Sequence, residues 1–328
     1  MASPSGTVVL LAYTFFSFEF LTDIFVLAIA CLNLAVIGPT KLLHPNLKCI
    51  LITQSVAVVL FVLVRSAMLV PKFISTDDLF TPANLILQTV IVFEEIFRRI
   101  LGHSLIIERV VATLFTNSYE NYRKPHFNLA WFSITFIIAF INTITNGQSW
   151  TITAFNLITV IFSTVTSFVE FLIIIIIGRY NQRKYESQIE EASPNNYHIG
   201  QRFQVLENVK TAKQLLPAFF CIFLSNLVTA LLYSIIAFNL VSEGYQISLV
   251  FAFFTWADTM LGAAIELTVI THHPLLKKRF VRILKNIFCF KRNQVDVAPN
   301  CIELATIGKN GENEGTEHFK MLQQLWNK

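Results

Sequence analysis

Residues 127–145 read "FNLAWFSITFIIAFINTIT", without a single Asp, Glu, Lys or Arg. A helix needs about 20 apolar residues to cross the hydrocarbon of a bilayer. Comparable runs recur near Tyr13–Ile37, Asn46–Leu69, Ala83–Thr116, Thr153–Tyr180, Val209–Val241 and Ile247–Thr271. The chain is 54% hydrophobic and 14% charged, whereas soluble domains carry roughly a quarter charged residues. A globular core does not account for this. In lipid every backbone polar group must be satisfied within its own segment, which a helix achieves. The expectation is an all-α membrane protein, a bundle of seven transmembrane helices over residues 13–271. No internal repeat is visible, which argues against a transporter built from inverted halves.

Lys and Arg in the loops set orientation. One side of the expected bundle holds Lys41 and Lys48, then Arg109, Arg123 and Lys124, then Arg179, Arg183, Lys184, Arg202, Lys210 and Lys213, then the cations after Pro274. The other side, with the N-terminus, holds Lys72 alone. The N-terminus, residues 1–12, is therefore expected outside and the C-terminus in the cytoplasm. No cation precedes Lys41, so the start lacks the charged region of a cleaved signal peptide, and the first run reads as a retained span. The outer loops are short ("SEGY", "NGQSWT"). The inner loop from about Gly178 to Gln214 is long and broken by "ASPNN". With no room for an external binding domain, a small ligand has to enter the bundle.

After Pro274 the stretch "LLKKRFVRILKNIFCFKRN" places Leu276, Phe280, Leu284 and Ile287 near one helical face, with Lys277, Lys278, Arg282 and Lys285 largely elsewhere. Residues 274–292 read as a basic amphipathic helix on the anionic inner leaflet. Cys289 at its end is a candidate for palmitoylation or a plain cysteine. Residues 293–328 are polar and expected to be disordered.

Chemistry of other kinds finds no motif. There is no phosphate-binding glycine loop, no dinucleotide fingerprint and no HExxH. His272 and His273 are adjacent, and His103 has no carboxylate pattern around it for a metal. The five cysteines form no disulfide framework. No cofactor, metal, nucleic-acid partner or catalytic residue is expected, and the chain does not read as an enzyme.

One stretch breaks the apolar pattern. "FEEIFRRILGHSLIIERV", Phe93–Val110, puts Glu94, Glu95, Arg98, Arg99, Glu108 and Arg109 on a single expected span. At 100° per residue these six fit an arc of roughly 180°, with Phe93, Ile96, Phe97 and Ile100 opposite. A charge at the bilayer centre costs about 2.5–3.5 kcal/mol even on the lenient insertion scale, so these charges need partners. Glu94/Arg98 and Glu95/Arg99 are four apart and can pair along the helix. With a rise of about 1.5 Å per residue, Arg98 lies about 16 Å and Glu94 about 22 Å above Arg109. Arg65, Asp23 and Asp258 fall at similar heights on their spans. The outer half therefore gathers Asp23, Arg65, Glu94, Glu95, Arg98 and Asp258, and the inner layer holds Glu108, Arg109, Glu170 and Glu266. The outer charges either lock helix packing or contact a ligand, with Phe93, Phe97 and Trp256 as apolar walls. An ion or proton path is the third possibility.

The end of that helix, "IERVVATLFTNSYENYRKP", resembles the nematode serpentine receptor class epsilon (Sre) chemoreceptors. Their third helix ends in a Glu-Arg-x-x-Ala-Thr pattern followed by Tyr-Glu, here Glu108, Arg109, Ala112, Thr113, Tyr119 and Glu120. "GQRFQVLENVKTAKQL", with Arg202, Gln204, Glu207 and Asn208, is similar to the family's entry to the sixth helix. "THHPLLKKRF" is similar to its exit from the seventh. The resemblance implies a GPCR-like seven-helix receptor in the plasma membrane of sensory neuron cilia. It would bind an unknown small molecule and activate a heterotrimeric G protein. By the same resemblance Glu108 and Arg109 would act as a coupling switch, Arg109 pairing with Glu108 or with Glu207 in the inactive state. On this reading Arg65, Glu94, Glu95, Arg98, Asp258 and Trp256 are the candidate ligand residues. The competing class is a seven-helix transporter or ion channel.

Overall fold

The computed structural model describes residues 5–40, 43–75, 79–81, 83–115, 126–145, 154–190, 199–241 and 243–287. Every regular element among them is a helix: α1 (Gly6–Ile37), α2 (Pro45–Ile74), α3 (Leu85–Leu114), α4 (His126–Thr145), α5 (Ala154–Glu190), α6 (Ile199–Ala237), α7 (Gly244–Thr271) and α8 (Pro274–Ile287). Six of these, all but α3 and α8, are long and apolar enough to cross a membrane. The chain is thus a multi-pass, all-helical membrane protein. Helix α3 has the length, about 45 Å at 1.5 Å per residue, but carries the six charges.

Helix boundaries follow local chemistry. Pro45 opens α2, where a missing N–H costs nothing. The Asn84 side chain accepts from the Ile86 N–H (2.9 Å) and caps α3. Two residues past the end of α6, Asn239 stands at φ 50, the left-handed conformation that Asn tolerates best after Gly. The Leu240 N–H then reaches back to the Ile235 carbonyl (3.1 Å).

Helix α1 packs between α2 and α7. One cluster there joins Val26, Ile29 and Ala30 of α1 to Val58, Phe61 and Val62 of α2 and Ala263 of α7. A second, towards the end where α1 begins, joins Ala12 and Phe16 to Leu69, Leu79 and Ala252. Helix α3 touches α2, α4, α5 and α6. Phe93 stacks on Phe97 and meets Phe136 of α4 edge-on at 5.3 Å, so the apolar side of α3 is turned to α4. The outward faces of α4 and α5 expose Ile137, Ile141, Phe162 and Val165, as lipid-facing surfaces do.

The largest departures from the expected bounds are two. Helix α1 begins at Gly6, seven residues before the expected span. The expected long loop from Gly178 to Gln214 is mostly helix, because α5 runs to Glu190 and α6 starts at Ile199. Its polar residues include good helix formers (Gln, Arg, Lys, Glu). The two helices also stay close, since a Cβ on Gly178 would lie 3.6 Å from Ala212. Low hydropathy there marks the end of the apolar zone, not of the helices. The "ASPNN" break, Cys289 and residues 293–328 lie outside the described residues. Residues 281–328 form a unit separate from 1–280, of which the end of α8 is described.

Candidate functional site

The end of the bundle where α1 begins is called upper here, the opposite end lower. The upper half holds the charges that the apolar sequence made conspicuous. Arg98 of α3 is their centre. Its Nη2 donates to Asp258 Oδ2 of α7 at 2.9 Å, and its Nε lies 3.3 Å from Glu94 Oε2, one turn back on α3. The guanidinium stacks over the Phe61 ring of α2 at 4.2 Å. Gly262 of α7 gives it space, since a Cβ there would already stand 3.6 Å from Nη1. Asp258 Oδ1 accepts a further hydrogen bond from Ser225 of α6. One arginine therefore joins α2, α3, α6 and α7.

Two more pairs flank it. Arg99 pairs with Glu95 and donates to Thr229 Oγ1 of α6 at 2.6 Å. Arg65 of α2 donates through Nε to Glu19 Oε1 of α1 at 2.5 Å. Asp23, one turn from Glu19, is also within electrostatic reach of Arg65 and accepts a long hydrogen bond from Ser66 (3.4 Å). Glu19 and Asp23 are wholly buried. Trp256 Nε1 donates to Thr22 Oγ1 at 3.1 Å, which ties α7 to α1 beside this pair.

Midway down, His103 Nδ1 meets Glu170 Oε1 of α5 at 2.7 Å. Glu266 of α7 accepts from Asn33 of α1 and from Ser55 Oγ of α2 (2.6 Å). At the lower end Glu108 and Arg109 pair with each other, both buried. Side chains from neighbouring helices close around them. Asn208 Nδ2 of α6 donates to the Ala112 carbonyl (3.0 Å), and Asn181 Nδ2 of α5 to Thr113 Oγ1 (3.1 Å). Gln214 Nε2 of α6 donates to the Val269 carbonyl of α7 (2.6 Å). Glu207 lies 3.8 Å from His273, just past α7. Buried polar groups that reach across helices in this way fix which helix faces which, because each unsatisfied group would cost about 1–3 kcal/mol.

The candidate residues of the upper half do not form one contiguous group. Glu94, Arg98 and Asp258 come together. Glu95 is drawn off to Arg99. Arg65 belongs to a separate trio on α1 and α2, with Trp256 bonded to the same face of α1. Both pairs spaced four apart on α3 form. Of the two partners considered for Arg109, Glu108 takes the place, while Glu207 turns to His273. The sequence reading missed Glu19, Phe61, Ser225, Thr229 and Gly262. Glu19 was recoverable: it is a carboxylate inside an apolar run, four residues before Asp23, and such a charge demands a partner. The others are ordinary residues whose role arises only from what α3 places against them. Among the described residues, no three His, Cys, Asp or Glu side chains are grouped to hold a metal ion.

No curated protein matches this chain. The family model for Sre G protein-coupled chemoreceptors matches residues 65–327, from Arg65 through the tail. That range takes in α3 with both its charge clusters, the lower latch on α6, and α7. On a match over well more than half of its length, the chain belongs to the Sre family of G protein-coupled chemoreceptors.

Proposed function

We propose that this chain is a seven-span receptor, in which α3 crosses the membrane along with the six apolar helices, with the N-terminus outside and the lower end in the cytoplasm. It senses a small external molecule in the upper half of the bundle and activates a heterotrimeric G protein through the lower end. The observation that carries the reading is the separation of two polar layers along α3. The upper layer, around Glu94, Arg98 and Asp258, ties α3 to α6 and α7. The lower layer, around Glu108 and Arg109, is closed over by α5 and α6. A ligand that rearranges the upper contacts changes how α6 sits against α3, and the same helix closes the lower layer. Two discrete arrangements of one element are what coupling between distant sites requires. Family membership supports both roles in kind.

The ligand-contacting set comprises Arg65, Glu94, Glu95, Arg98, Asp258 and Trp256, and Glu108, Arg109 and Glu207 serve the G protein. Cells expressing the chain with a calcium reporter and a promiscuous G-protein α subunit, screened against odorants and soluble metabolites, test the proposal. The expected result is a dose-dependent response that disappears without the G protein. Ligand-evoked current or flux that persists without any G protein overturns it.

A further inference from the structure

We propose that the upper network takes a small protonated amine, so that the ligand recognised by this receptor is a cation. The inference rests on the reading of that network as the ligand site and adds the sign of the charge it needs. Two arginines stand against two carboxylates each: Arg65 pairs with Glu19, with Asp23 one turn further along α1 in its field, and Arg98 pairs with both Glu94 and Asp258. Arg99 and Glu95 cancel. Counted with every group ionised, the layer has a formal surplus of two negative charges. Lys72, about two turns further up α2, offsets one at most, and its ammonium donates to the Leu79 and Thr81 carbonyls.

Hydrogen bonding points the same way independently of charge. Glu19 Oε2, Asp23 Oδ1 and Glu94 Oε1 have no hydrogen-bond donor, and Glu94 Oε2 has only its ion pair with Arg98 Nε, in side chains 0%, 0% and 5% exposed. A buried acceptor without a donor is costly, and a buried charge without a counter-charge more so. Apart from Arg98 Nε, which faces Glu94 Oε2, the unbonded atoms of the layer are acceptors, and an ammonium brings up to three donors and one unit of charge. An anionic ligand fits poorly. It needs an arginine with a free edge or face, but Arg65 and Arg98 already bond carboxylates, and the face of Arg98 is covered by Phe61. A neutral ligand would leave the surplus in place.

The full-length receptor, purified in detergent near neutral pH, provides the test. Its thermal midpoint is followed with primary amines from methylamine to 2-phenylethylamine, and with alcohols and carboxylates of the same carbon skeletons. At least one amine is expected to raise the midpoint in a saturable way, while the alcohols and carboxylates leave it unchanged. Glu94 and Asp23 stand in the two separate groups, and at least one of Glu94→Gln and Asp23→Asn should raise the half-maximal amine concentration about tenfold or more, the loss expected for one charge-assisted contact. Two variants on different helices are used so that misfolding of one does not decide the result. A shift from the carboxylates or alcohols overturns the proposal. So does no shift across the amine series, which would mean that the surplus carboxylates carry protons. The same series in the signalling assay separates this inference from the reading beneath it. An acid or alcohol whose response depends on Glu94 keeps the ligand site and removes the amine. A response indifferent to both Glu94 and Asp23 removes the site itself.

Discussion

At the scale of residues, sharing makes the two members of a pair unequal. Arg65 answers two buried carboxylates, and removing it leaves both without a counter-charge. Breaking a buried pair in this way costs about 3–5 kcal/mol, so Arg65→Ala should sharply lower the amount of receptor at the cell surface and the thermal midpoint. Removing Glu19 instead leaves Asp23 to face the same guanidinium. Glu19→Gln should therefore be clearly milder than Arg65→Ala. Equal damage from the two would show that Asp23 does not share the arginine. The charge swap Glu19→Arg with Arg65→Glu should restore surface expression, whereas a swap of Arg65 with Glu94 should not, because Glu94 is bonded to Arg98. Gly262 offers a test that touches no charge. A methyl there meets Arg98 Nη1 at 3.6 Å, an ordinary contact, so Gly262→Ala should be tolerated. Gly262→Leu should push the guanidinium off Asp258 and reduce expression, read by surface labelling.

At the scale of elements, α3 shows how far the sequence could be read. Its charge face, the pairing of Glu94 with Arg98 and Glu95 with Arg99, and the depth of each charge followed from spacing on a single helix. Such contacts are local, so helical periodicity suffices to place them. The partner of Arg65 did not follow, because pairing between helices depends on how each is rotated and tilted, and neither is written in one segment. The same limit hid the role of Phe61 and Gly262. Hydropathy likewise located the apolar part of α5 and α6 but not their polar continuations. Those continuations carry the lower latch. Asn208 and Gln214 donate to carbonyls of α3 and α7 that lie inside the bundle. Losing one such bond to a buried backbone group costs about 1–3 kcal/mol, and the cost falls on the closed arrangement alone if α6 moves away on activation. Asn208→Ala should therefore raise basal signalling at normal surface expression, measured without ligand. Arg109→Ala should abolish ligand-evoked signalling at normal surface expression. Basal signalling unchanged or lowered in Asn208→Ala would mean that its bond is present in both states.

At the scale of the whole molecule, the side of the membrane each end faces is set by where cations meet water. Among the described residues, Lys72 is the one Lys or Arg of the upper end, and it is buried: its ammonium sits 5.1 Å from the Phe16 ring centre and donates to two loop carbonyls. That lysine anchors the segment after α2 and offers no exposed positive charge beside the bilayer. Exposed cations belong to the lower end, with Arg179 and Arg183 on α5 and Lys210 and Lys213 on α6. Helical continuation of α5 and α6 holds these side chains close below the apolar zone, within the stretch of about 15–20 residues from a span where positive charge governs insertion. The folded chain thus sharpens the charge asymmetry of its sequence, since the sole exception is taken up inside the protein. An epitope placed after Ala2 should stain on intact cells, and one placed after Lys328 only after permeabilisation. Moving the asymmetry should move the topology. Neutralising Arg179, Arg183, Lys210 and Lys213 together should yield a fraction of chains with mixed orientation, whereas Lys72→Met should leave orientation unchanged while loosening the upper end. Staining of the C-terminal epitope on intact cells in the unmodified protein would invert the assignment of both layers and overturn the receptor reading with it.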